Sequence, residues 1–157
     1  MRRDDAQTVA EAWLEALLSC VALNAFCQER FGAEPAVFLG FDAFDHTGQP
    51  KAPFVVIAPM STRDGPDLDR NQGERIEYRL LVALGLVDKE LETVGERGRV
   101  FRGYRSAALF EAEVRQALRD SAFCPAFWES ETAQPGEHYF ERHVFYTVTA
   151  ENTIGGF

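Results

Sequence analysis

Residues 74–88, ERIEYRLLVALGLVD, limit the possible folds more than any other stretch of the chain. Arg75, Glu77 and Arg79 alternate with Ile76, Tyr78 and Leu80, the period of a strand that is wet on one face. From Leu81 to Val87 both sides are apolar, the pattern of a strand covered on both faces. Such a strand starts half wet and ends buried. It lies partly under a helix and partly against a second layer or another subunit. Leu81, Leu84 and Val87 are therefore candidates for a subunit contact.

The rest of the chain supplies partners for that strand. Between residues 5 and 31, Val9, Trp13, Ala16, Leu17, Cys20, Leu23 and Cys27 recur at three- and four-residue steps, which predicts one amphipathic helix followed by Gly32. Residues 36–44 are apolar and Phe-rich and predict a strand, and residues 45–50 carry turn chemistry. FVVIA at 54–58, bounded by Pro53 and Pro59, predicts a covered strand. Residues 61–73 are polar and predict a loop, of which 64–71 is expected to order only on assembly. Residues 89–99 predict a charged hairpin tip with its return arm at 100–104. A second helix is expected over 106–120, a loop over 121–137 and a closing strand over 138–150. The order predicts an α+β fold: a mixed or antiparallel sheet of about four to five strands with two helices packed on one face. Residues 1–151 are expected to form one such domain, and 152–157 a flexible tail.

A chain of 157 residues can bury about 70% of its unfolded surface, enough for a self-sufficient core. Its thirteen Phe favour a thick aromatic core, or apolar surface kept for a partner. Sixteen basic against 25 acidic residues leave a net charge of −9, which disfavours specific nucleic-acid binding, because phosphate contacts need clustered Lys and Arg. Cys20, Cys27 and Cys124 are odd in number and widely spread, as expected of buried thiols in a reducing compartment. No run approaches 18 apolar residues and no secretory signal is visible, so a cytoplasmic protein without a membrane span is expected.

Few residues suggest chemistry. Asp67, Asp69 and Asn71 begin like a calcium loop, but Gln72 stands where the glycine belongs and Tyr78 where the bidentate Glu belongs. His138 and His143 are an odd number of positions apart on a strand and point to opposite faces, and His46 lies alone in a turn. No nucleophile elbow, phosphate loop or dinucleotide glycine pattern is present. No catalytic residue, cofactor or metal is expected. Glu129 and Glu131 beside Trp128 would make a carboxylate pair if that loop lined a cleft, and this keeps a small-molecule-binding or hydrolase domain as an alternative. A partner-binding adaptor acting through an exposed edge strand is a second alternative. Phe127 and Trp128, in a loop bounded by Pro and Gly, are either a lid over the core or an interface anchor. Arg97, Arg99 and Arg102 at the hairpin are candidates to meet an acidic neighbour.

Taken together, the N-terminal helix, PFVVIAP (53–59), the long strand after a polar loop, ALFEAEVRQALRD (108–120) and HYFERHVFYTVTAEN (138–152) resemble the tail-terminator, or tail-completion, proteins of long-tailed bacteriophages and prophages. The resemblance covers most of the chain from Pro53 onward. It implies a small α+β domain that forms a homo-oligomeric ring, commonly a hexamer, with no catalytic residues. The ring would cap the tail tube and join it to the head connector, so the implied partners are copies of the chain, tail-tube protein and head-completion protein. The implied location is the cytoplasm of a bacterial host and then the virion tail. The acidic, aromatic segment 121–137 and the charged hairpin 89–99 depart from the family pattern.

Overall fold

A computed structural model describes residues 5–40, 51–66 and 73–153. The expected N-terminal helix is two helices, α1 (Ala6–Ser19) and α2 (Val21–Phe31), bent by 62° at Cys20. Asp5 caps α1, accepting from the Thr8 backbone N–H at 2.7 Å and the Thr8 hydroxyl at 2.9 Å. At the break Cys20 is extended, the Ser19 hydroxyl donates to the Glu15 carbonyl at 2.8 Å, and the Asn24 amide donates to the Leu18 carbonyl at 3.1 Å. The Asn24 amide thus satisfies the Leu18 carbonyl, which a continuing helix would pair with the N–H of residue 22. The bend has a packing reason. Val9, Trp13 and Leu17 of α1 bury against the sheet, whereas α2 turns away to bury Leu23 and Cys27 beside the third helix. The described residues therefore hold three helices rather than the two expected.

The main sheet contains β1 (Ala36–Leu39), β2 (Phe54–Pro66), β3 (Gly73–Val87), β6 (Phe127–Ala133) and β7 (Tyr139–Thr153) in the order β1-β2-β3-β7-β6. Only β1 and β2 run parallel; the other pairs are antiparallel, so the sheet is mixed, as expected of this α+β fold. A two-stranded hairpin, β4 (Leu91–Val94) and β5 (Gly98–Phe101), stands apart from it. The third helix, α3 (Gly103–Arg119), begins three residues before the predicted start. Gly103 is required there, because a Cβ would come within 1.9 Å of the Phe140 ring.

The core lies between one sheet face and the helices. Leu80, Val82, Leu84 and Leu86 of β3 and Phe140, Val144, Tyr146 and Val148 of β7 meet Trp13, Leu17, Phe110 and Val114 there. The Trp13 indole N–H reaches the Phe123 carbonyl at 2.8 Å, tying α1 to the segment before β6. The reading of 74–80 holds: Ile76, Tyr78 and Leu80 are buried and Arg75 and Arg79 are exposed. Two predicted loops are strands instead. β2 continues through residues 61–66, because long β3 offers it a ladder partner as far as Glu74. β6 occupies 127–133, because β7 pairs with it from Glu141 to Thr147. Residues 152 and 153, assigned to the tail, continue β7. The turn residues 45–50, the calcium-like positions 67, 69 and 71, and residues 154–157 lie outside the described residues.

Candidate functional site

The sheet has a second face, and among the described residues no helix covers it, although Phe54 and Val56 on that face are only 7% exposed. The pleat decides which residues stand on it. On β3 these are Arg75, Glu77, Arg79, Leu81, Ala83 and Val87, opposite in parity to the core set. A register shift between Pro59 and Ser61 reverses the parity of β2. It places Val56 and Ala58 on this face before the shift, and Ser61 and Arg63 after it. β7 contributes His143, Phe145 and Thr147, and β6 contributes Phe127, Glu129 and Glu131. At its centre is a shallow depression of about 390 Å³ lined by Arg63, Glu77, Arg79, Phe127, Glu129 and Phe145. The Arg79 guanidinium lies 5.6 Å from the Phe145 ring centroid, and Arg75 Nε is 3.5 Å from Glu77 Oε1. Near β1 the face is apolar and tight, and a Cβ at Gly85 would meet the Phe54 ring at 2.0 Å. Toward β6 it mixes exposed charge with an exposed aromatic, Phe127.

The expected subunit-contact residues divide between the two faces. Leu81 and Val87 stand on the bare face, with Val87 exposed. Leu84 does not: its side chain is fully buried under the helices, because its parity is that of Leu80 and Leu86. Leu84 is core. Phe127 and Trp128 are likewise separated by the pleat. Phe127 is 54% exposed on the bare face, whereas Trp128 packs on the helix side against Tyr146, with ring centroids 6.3 Å apart. Arg115 and Arg119 of α3 cover the indole, at 4.5 and 5.4 Å from its centroid. Trp128 is thus a lid on the core. Glu129 and Glu131 point away from it, so the acids and the indole do not share a cleft.

Behind β6 is a polar cluster that sequence reasoning missed. Its centre is Glu111 of α3, a charged residue that is only 1% exposed. Its carboxylate pairs with Arg115 one turn on and accepts from Arg142 Nε at 2.7 Å. Arg142 also donates to the Thr132 hydroxyl at 2.7 Å and the Ser130 hydroxyl at 3.0 Å, so one guanidinium joins α3, β7 and β6. Its own burial lowers the Arg142 pKa. The signal was present in the sequence: Arg142 has the parity of Phe140 and Val144, and a charge at such a position needs a buried partner. Burial pushes the Tyr146 phenol up to about 12, against the pull of Arg115 and Arg142.

The hairpin arginines are also divided. Arg102 pairs with Glu92 of its own hairpin, so it is not the free cation expected to meet a neighbour. Arg97 at the turn and Arg99 on β5 are exposed. Val94 and Val100 are exposed beside them. Among the described residues no three His, Cys, Asp or Glu side chains converge as metal ligands. His143 sits 3.3 Å from Glu141, and His138 packs near Phe101 instead. Burial, aided by the charge of Glu113, pushes the Cys27 thiol up to about 12, which makes it a poor nucleophile. No single helix among the described residues is long and apolar enough to cross a membrane. The chain matches no family model and no curated protein sequence.

Proposed function

We propose that this chain is a non-enzymatic structural subunit that assembles with copies of itself into a ring, capping a phage or prophage tail tube and joining it to the head connector. The observation that carries the reading is the asymmetry of the two sheet faces. One is sealed by helices, while the other carries no helix among the described residues and presents Leu81, Val87, Phe127 and Phe145 among Arg63, Arg79, Glu77 and Glu129. A ring subunit needs unlike surfaces, because a head-to-tail contact joins two different patches. Mixed apolar and charged character suits an interface that forms after folding better than it suits a core. The resemblance of the strand and helix segments to tail-terminator proteins supplies the assembly, and with it a passage from host cytoplasm to virion tail.

Light scattering coupled to sizing, across protein concentration and with tail-tube protein added, tests the proposal. A discrete oligomer is expected, at high concentration or on the tube. A strict monomer under both conditions overturns it.

A further inference from the structure

The outer edge of β6 and the β4–β5 hairpin are both unfinished structures, and their chemistry is complementary. β6 is the last strand of the main sheet, seven residues in unbroken register with β7, and among the described residues nothing pairs with its outer side. An open row of backbone N–H and C=O groups is a template for another strand. The opposite side of the sheet is protected. There β1 is four residues long, and beyond it β2 carries Pro59, which has no N–H to donate, and the register shift at Met60. The hairpin has the converse deficit. Two strands alone are marginally stable, and Val94 and Val100 stand exposed on one of its faces.

We infer that the β5 strand of one copy adds to the outer edge of β6 of the next, extending the sheet across the subunit boundary. The occupant is a second copy of this chain because the charges match. Glu129 and Glu131 lie two residues apart on the second-face side of β6, both exposed and, among the described residues, without an ion-pair partner. Arg99 lies on β5 and Arg97 in the turn just before it; both are exposed, and among the described residues neither has an ion-pair partner. A ladder between β5 and β6 would bring Arg99 opposite one of these acids and leave Arg97, at the adjoining turn, toward the other. With Arg99 on the bare-face side, Val94 and Val100 continue the helix side beside Trp128. The symmetric alternative, β6 on β6, sets Glu129 and Glu131 against their own copies, and like charges opposed across a ladder repel. A hairpin-to-edge contact is head-to-tail, the type that generates rings. The inference rests on the ring reading and specifies its contact.

Charge exchange tests it. Arg97→Glu with Arg99→Glu makes one variant, and Glu129→Lys with Glu131→Lys makes another. All four positions are exposed, so both variants should keep the wild-type circular dichroism and melting temperature. Alone, each should need at least about tenfold more protein to assemble than wild type, because every contact then opposes like charges. Mixed in equal amounts they should recover the wild-type assembly, since an alternating ring makes every contact complementary. Variants that assemble as wild type does, or a mixture that fails to recover, overturn the inference while a wild-type ring stands. A wild type that stays monomeric removes the ring reading and this contact together.

Discussion

Glu111 shows how a single residue joins elements that are remote in sequence. Its carboxylate neutralises Arg115 and Arg142, and through Arg142 it reaches Ser130 and Thr132 on the edge strand. Replacing it leaves two guanidinium groups, each about three-quarters buried, without a counter-charge. Removing one partner of such a pair costs more than the pair contributes, because the remaining charge has lost its water and gained nothing. Glu111→Ala should therefore lower stability by about 3 kcal/mol, read as a fall in the urea midpoint at unchanged slope. A loss under about 1 kcal/mol would mean that solvent reaches the arginines freely.

At the scale of the element, β6 is the instructive case. Composition marked 121–137 as a loop, with Pro125, Pro135 and Gly136 as punctuation and no apolar alternation. FWESETA has no strong strand signature, because one of its faces is bare and its helix-facing side carries Ser130 and Thr132 for Arg142. It is a strand because β7 offers it a ladder and α3 holds it from behind. The pleat then gives Phe127 and Trp128 different tasks. Trp128→Ala should cost about 2 kcal/mol of folding stability, since the indole fills the space between Tyr146 and two arginines. Phe127→Ser should change stability by no more than about 0.5 kcal/mol, yet weaken self-association. Parallel thermal melts and sizing runs of the two variants distinguish these effects. Equal melting losses would mean that both rings are core.

For the whole molecule, burial sets the response to alkali. Cys27 on α2 is pushed from 9.0 up to about 12 by burial and by the charge of Glu113. Tyr146 on β7 is pushed from 10.0 up to about 12 by burial, and burial together with the Glu141 carboxylate raises Tyr139 as well. Each of these groups is neutral when protonated and holds its proton longer in the native state than in the unfolded chain. The unfolded chain therefore loses protons first as pH rises, and the native state loses stability with it. Stability from these groups should be complete below about pH 9 and decline between about pH 9 and 12. Denaturant midpoints measured across that range check this. A midpoint that stays level to pH 12 would show that these groups are solvated.

Residues 74–88 mark what the amino-acid order determined alone. Period-two alternation and a run of branched and aliphatic residues specify a long strand, and with it an α+β protein, because no short-range alternative buries Leu80, Val82, Leu84 and Leu86 together. The three- and four-residue steps likewise specified α3 and both halves of the N-terminal helix. Periodicity is a local property, and it survives without knowledge of neighbours. What it left open depended on neighbours: the bend at Cys20, the strands at 61–66 and 127–133, and the inward turn of Glu111. The division of the doubly apolar strand was decided in the same way. Only the placement of the helices put Leu84 in the core and left Leu81 and Val87 on the face that no described helix covers, because a strand carries two equivalent sides until something packs against one of them.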